Sequence, residues 1–530
     1  MEHRPSLLLL IAGLGWMPSP STPAEAPVNV LTANFGAGRT NANLEETQLT
    51  PANIGKGRLG KLGVFPVDGQ VFAQPLYVSD VTIPGQGPRN VLFIATEHNS
   101  VYAYDADTAA SLALLWCRNL GPSVSSSLFT QNDGSPYSDI APEIGITSTG
   151  TIDLDAGVWY VVAEIMEKHG PIFRLHALDL ATGQERMNGP VRIHAEVAGT
   201  GAAADSGRIR FDPVQHIQRP GLLLLNGSVY AGFGSHADTG AWHGWVVGYS
   251  ASDLTVRTAV FQATPAGQGG AIWQSGRGLV ADDAGGIYVM TGNGDYDGAL
   301  NFGESFVKLS GDGPQVVDWY TPQNWQDLSE NDYDLSAGPA LIPGSHTLVG
   351  GDKAGNLYLI DGDWMGQLDD GTSPTQVFQA VNGWIFNFAL WGREDAAYVY
   401  VQEKSGPLKC YRAAGGRFDP TPVSVSTTTG TARVGMTLSA NGGQPGTGVL
   451  WETTGGYADP STPGVLHAFD ASDLSIELWN SAMDSRDALN GFVKFVGPTV
   501  VNGKVFVAST DSVVAYGLLT ASGQAGMGRD

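Results

Sequence analysis

The sequence predicts an all-β protein folded as an eight-bladed β-propeller of four-stranded antiparallel blades, closed by its N- and C-terminal strands. Three observations carry this. A cadence of a short apolar strand, a tight turn and a second strand ending in an aromatic or Ala plus Asp recurs from about Val91 to Tyr516. There are 71 Gly and 30 Pro, while only 15% of residues are charged. Val, Tyr and Trp are frequent, and they suit a pleated, half-buried surface. One such unit cannot bury both faces of its sheet, so several must pack together, and a repeat of short antiparallel strands is the mark of a propeller blade.

The repeats justify the elements one by one. Val91–Thr96 turns at His98-Asn99 into Val101–Asp105, and Trp159–Ala163 leads to Leu175–Asp179. Ile287–Met290 precedes Phe306–Leu309, and Leu348-Val349 turns at Ala354–Asn356 into Leu357–Asp361. Val449–Thr453 leads to Leu466–Asp470, and Val505–Ala508 turns at Asp511-Ser512 into Val513–Tyr516. The units span approximately 75–121, 144–193, 218–262, 272–322, 336–380, 385–426, 435–481 and 493–518. Seven blades is the alternative count. The last unit is too short for a blade, and Leu59–Pro66 can complete it, leaving no open sheet edge. Long Gly-, Ser- and Asp-rich loops, such as 121–141 and 199–213, are expected on one face of the ring.

The N-terminus reads as an export signal over 1–26, with Arg4, the apolar run Leu7–Trp16 and the small residues of Ala24-Glu25-Ala26. A single propeller domain is expected over 27–520 and a disordered tail over 521–530. The expected location is secreted or periplasmic. No later segment reaches the length of a membrane-spanning helix. The formal net charge of -24 argues against nucleic acid as a partner. Cys117 and Cys410 fall in different repeats, which favours two free, buried thiols over a disulfide.

Several stretches resemble the quinoprotein alcohol dehydrogenases. Ala177-Leu178-Asp179-Leu180-Ala181-Thr182-Gly183 looks like that family's inter-blade docking motif, in which a Trp packs between blades. Ala103-Tyr104-Asp105 with Trp116 and Ala468-Phe469-Asp470 with Trp479 are looser copies. Arg39–Leu44 and Leu49–Ile54 resemble the family's N-terminal segment. The resemblance covers essentially the whole mature chain. It is nearest to a group of exported bacterial proteins with quinoprotein-type repeats.

The resemblance implies a site for pyrroloquinoline quinone and calcium. Trp273 matches the stacking floor under the quinone, and Lys353 the cation on its oxygens. Asn293 and Glu167 match the calcium ligands, and Asp332 or Asp334 the catalytic base. Oxygen ligands suit a hard cation, and a carboxylate can take an alcohol proton. The chain departs from the family by lacking an adjacent Cys-Cys pair and by placing Glu143 where an Arg would meet a cofactor carboxylate. Independently, Asn293, Asp295 and Asp297 with Glu304 nearly fit a calcium loop of alternating oxygen ligands and a distal Glu. His236 and His243 beside Trp242 and Trp245 form a weaker candidate cluster.

Two functions follow. One is a non-catalytic extracytoplasmic binding or scaffold module for a small-molecule or protein ligand. The other is a quinone- and calcium-dependent dehydrogenase of alcohols or sugars.

Overall fold

The computed structural model describes residues 28–519 except 109–112, 132, 312, 372–374, 432 and 457–461. The expected signal segment 1–26 and tail 521–530 lie outside the described residues. Eight small antiparallel sheets form a ring. Blades 1 to 7 take their strands from 76–119, 151–192, 216–262, 280–321, 340–379, 388–429 and 435–480. Blade 8 joins Thr499–Val501, Lys504–Ala508 and Ser512–Leu518 to the N-terminal strand Leu59–Pro66. The register of that closure runs from Leu59 opposite Leu518 to Pro66 opposite Ser512. The count is eight rather than seven because the chain ends share a sheet.

Each blade buries both of its faces against its neighbours. One apolar cluster joins blades 8, 1 and 2, another joins 2 and 3, and the series continues through 7 and 8. Burial of apolar surface on this scale drives the closure. Trp159, Trp245, Trp391, Trp451 and Trp479 are all fully buried. Trp116 of blade 1 packs on the loop 180–183 of blade 2, donating its Nε1–H to the Leu180 carbonyl at 3.0 Å. Gly183 closes that loop at a φ of +66°, and a Cβ there would lie 2.6 Å from the Trp116 ring.

The first strands of neighbouring blades touch one another, so they line the axis. Their inner edges would be left with unpaired backbone groups. The segment 30–43 answers this by visiting every blade in turn. Val30 pairs with Tyr77 of blade 1, and the Leu31 carbonyl accepts from Ile152 of blade 2. Arg39 donates to the carbonyls of Leu222 and Leu279, which flank blades 3 and 4. The carbonyls of Ala37, Gly38, Thr40 and Asn41 then accept from Ala281, Leu341, Leu390 and Leu438 of blades 4, 5, 6 and 7. Asn43 reaches the Val500 carbonyl of blade 8 at 2.8 Å. This N-terminal plug shuts one end of the axial channel.

Cys117 and Cys410 are both free thiols, as expected, but only Cys410 is buried, whereas Cys117 is half-buried. Among the described residues no helix is long and apolar enough to cross a membrane.

Candidate functional site

Away from the plug, loops between blades enclose a cavity of about 650 Å³. It contains two charged clusters with Trp273 between them. The acidic cluster is built on the loop leading into blade 5, on the turn between Thr347–Gly351 and Asn356–Asp361 within it, and on the turns after Ile287–Met290 of blade 4 and Ser228–Ser235 of blade 3. Lys353 lies 2.6 Å from Asp332 and 2.5 Å from Asp334. Asn293 donates to Asp332 at 3.3 Å, and its own buried Oδ1 has no partner among the described residues. Asp238 is half-buried close by and is linked to Trp273. Burial raises the Asp238 carboxyl, and it raises Asp334 to about 6 against the pull of Lys353. Burial also works to lower Lys353, but Asp334 and Asp332 win and hold it above the usual range.

The basic cluster comes from Arg219 of blade 3, Arg433 in the link between blades 6 and 7, and Lys494 in the link between blades 7 and 8. The Arg219 guanidinium lies 5.4 Å from the Trp273 ring centre and 4.9 Å from that of Phe495. Its buried Nη2 has no hydrogen-bond partner among the described residues. Arg433 stands 5.3 Å from the Trp384 ring and 5.9 Å from Phe386, which in turn packs on Phe495. Lys494 bonds Asp139 of the loop 121–141 at 2.8 Å. Burial lowers Lys494 to about 8, opposed by Asp139. Burial alone would raise Asp139, yet Lys494 and Arg219 hold it at about 2. A polar space of about 20 Å³ separates this cluster from the plug, room for about one water.

The structure therefore brings together Trp273, Asn293, Asp332, Asp334 and Lys353 from the sequence reading. It does not bring Glu167 to them, because Glu167 is half-exposed and ion-paired with Arg174 at 2.6 Å. The calcium-loop residues also point apart. Asp297 Oδ1 caps the backbone N–H groups of Ala299, Leu300 and Asn301, which bends the loop away from a cage. Asp295 accepts from the Gln268 backbone, and Glu304 from that of Leu335. Among the described residues no three His, Cys, Asp or Glu side chains are gathered to hold a metal ion. Glu143 faces away from the cavity and pairs with His98 at 3.0 Å. Trp242 and Trp245 are packing residues, and His216 Nε2 accepts from Trp245 and from the His243 backbone.

Sequence reasoning missed Asp238, Arg219, Arg433 and Lys494. Asp238 follows the strand Ser228–Ser235, and this position after a blade's second strand was the available signal. The three cations come from separate blades and share no spacing.

No family model and no curated protein matches the chain. Solved structures do. A quinohemoprotein alcohol dehydrogenase from Pseudomonas putida HK5 superposes with a TM-score of 0.59 at 15% identity, covering 92% of this chain and 80% of that one. A europium-containing methanol dehydrogenase gives 0.49 at 13% identity, covering 91% and 82%. BamB from Moraxella catarrhalis gives 0.48 at 14% identity, covering 87% and 99%. The class defined by fold is the eight-bladed β-propeller, an architecture similar to that of the quinohemoprotein alcohol dehydrogenase. Within that architecture, the axis of this chain is plugged at one end and opens at the other into the divided cavity.

Proposed function

We propose that the protein is a binding propeller whose cavity takes a flat organic acid laid on Trp273. The observation that carries this is the placing of an indole platform between a cluster of cations and a cluster of acids paired with Lys353. The Trp273 face suits a planar ring system. Arg219, with an unsatisfied buried Nη2, together with Arg433 and Lys494, suits a carboxylate. Lys353, Asp332 and Asp334 suit hydroxyl or carbonyl groups at the opposite end of the ligand. In a chain of net charge -24, a concentrated basic cluster inside a cavity is a selective device for an anion.

A second reading is favoured by one specific arrangement, the Lys353–Asp334 pair beside the Trp273 platform. The donor set there fits pyrroloquinoline quinone with calcium. Trp273 and Arg219 would hold the quinone and its carboxylates, and Asn293 Oδ1, Asp238 and Asp334 offer hard oxygen atoms for calcium. When bound, the quinone supplies a two-electron acceptor. Lys353 would orient its oxygens and stabilise negative charge there, while Asp334 would hold a proton from an alcohol. Glu143 raises no objection, since it lies outside the cavity.

The test is titration of purified protein with pyrroloquinoline quinone and with simpler aromatic carboxylates, with and without calcium, followed by tryptophan fluorescence. Binding that Trp273→Ala weakens at least about tenfold is expected from loss of the stacking face. Dye reduction with alcohols or sugars, lost in Asp334→Asn, would select the dehydrogenase. If no flat acid binds at millimolar concentration, the binding proposal fails.

A further inference from the structure

One acid sits among the cations of the central cavity. Asp139 of the loop 121–141 lines that cavity together with Arg219, Arg433 and Lys494. It pairs with the Lys494 ammonium at 2.8 Å. Burial alone would raise its carboxyl, but Lys494, Arg219 and Arg433 hold it at about 2, so it is a carboxylate at neutral pH. A flat acid entering the cavity brings a second carboxylate to the same cations. Two anions repel one another at such a place, and the repulsion is stronger where water is scarce.

The position of Asp139 is set by its neighbours. Tyr137 and Ile140, which bracket it, are at most 2% exposed and share one apolar cluster with Val124, Phe129, Ile144 and Ile217. The Tyr137 N–H donates to the Phe129 carbonyl at 3.0 Å, and the Tyr137 ring meets the His236 imidazole edge-on. The backbone around 139 is therefore held. The side chain is freer: that of Asp139 is 46% exposed, whereas that of its partner Lys494 is only 4% exposed. The acid can turn out into solvent while the ammonium stays in the cavity.

Asp139 also leaves the cluster incompletely matched. It answers Lys494, yet the buried Nη2 of Arg219 has no hydrogen-bond partner among the described residues. Three cations against one carboxylate leave two positive charges at this end of the cavity. An incoming carboxylate that reaches both Lys494 and Arg219 makes more charge-assisted hydrogen bonds than the side chain does.

We propose that Asp139 is a built-in competitor for the ligand's carboxylate, held against Lys494 in the empty cavity and turned out to solvent when an anion enters. This rests on the reading of the cavity as a site for a flat acid, and it gives that site a residue that sets affinity by occupying the ligand's place. A purely structural Asp139, one that holds Lys494 in its binding position, has the opposite consequence, since its removal would weaken binding.

The experiment titrates full-length protein by calorimetry with 2-naphthoate, a flat monocarboxylate. Asp139→Asn and Asp139→Ala should each bind it about tenfold more tightly than wild type. Asp133, on the same loop, also lines the cavity but is exposed and caps the Ser135 backbone N–H at 2.9 Å. Asp133→Asn removes the same charge and should bind as wild type does. Sodium formate, a carboxylate without a ring, is the second probe. Asp139→Ala should melt below wild type in sodium chloride and recover most of the loss in formate at equal ionic strength, because formate refills the place beside Lys494. Wild type should show no such gain. Equal or weaker 2-naphthoate binding by Asp139→Asn overturns the proposal, and so does an equal gain in Asp133→Asn. If no form of the protein binds 2-naphthoate, the flat-acid reading fails, and formate still decides this inference: an Asp139→Ala protein that formate does not stabilise overturns it.

Discussion

Gly183→Ala tests how the blades are held together. Two costs are legible at this position. Its φ of +66° is left-handed, where a Cβ costs about 1–2 kcal/mol. The same Cβ would lie 2.6 Å from the Trp116 ring, and relieving such overpacking costs about 1–3 kcal/mol. The indole cannot simply swing away, because its Nε1–H is bonded to the Leu180 carbonyl at 3.0 Å. The sum is a loss of about 2–5 kcal/mol. Gly157 provides the control. Its φ is +65°, but its nearest neighbour is Arg186 Nη1 at 3.9 Å, so Gly157→Ala bears the backbone cost alone. Urea unfolding followed by tryptophan fluorescence should place Gly183→Ala well below Gly157→Ala, and both below wild type. Equal midpoints for the two variants would refute the idea that Trp116 clamps blade 1 to the blade 2 loop.

The Lys494 ammonium, lowered to about 8 by burial, makes anion binding pH-dependent. The proton is present below that value, so affinity for a flat carboxylate should hold to pH 7 and fall up to about tenfold per unit above pH 8. Lys494→Met should flatten that profile, and an unchanged slope would remove Lys494 from the ligand site. Deleting residues through 66 should expose the edge of Ser512–Leu518 and strip the plug, giving aggregation on size-exclusion chromatography. Burial pushes the Cys410 thiol up to about 12 and also raises Cys117. Mass spectrometry after alkylation should therefore find no disulfide, slow labelling of Cys117, and no labelling of Cys410 until the protein is unfolded.

Much of the propeller was legible because its information is local. Strand, turn and strand lie within one repeat, so Leu348–Asp361 or Val505–Tyr516 announces a hairpin without reference to the rest of the chain. The Leu59–Pro66 closure was legible for a related reason, since a short last blade must borrow a strand. The plug was not. Residues 30–43 carry no strand pattern, and their partners are spread over eight blades. Individual site residues such as Trp273 and Lys353 stood out beside Gly-rich turns. Glu167 stood out equally well, yet its strand carries it to a solvent-facing ion pair with Arg174. The near-fit of Asn293–Glu304 to a calcium loop failed for another local reason, the Asp297 cap on three backbone N–H groups.

By itself, then, the sequence determined the repeating unit and the means of closing the ring, because both are set by period and by turn chemistry over a few tens of residues, whereas the choice of eight units over seven came from the shared sheet of the chain ends. Only the tertiary structure decided that Arg219, Arg433 and Lys494 converge opposite Lys353, and that His236 comes to face Glu164. Those meetings depend on rotation about the ring axis, which places residues from separate blades side by side and leaves no trace in their spacing along the chain.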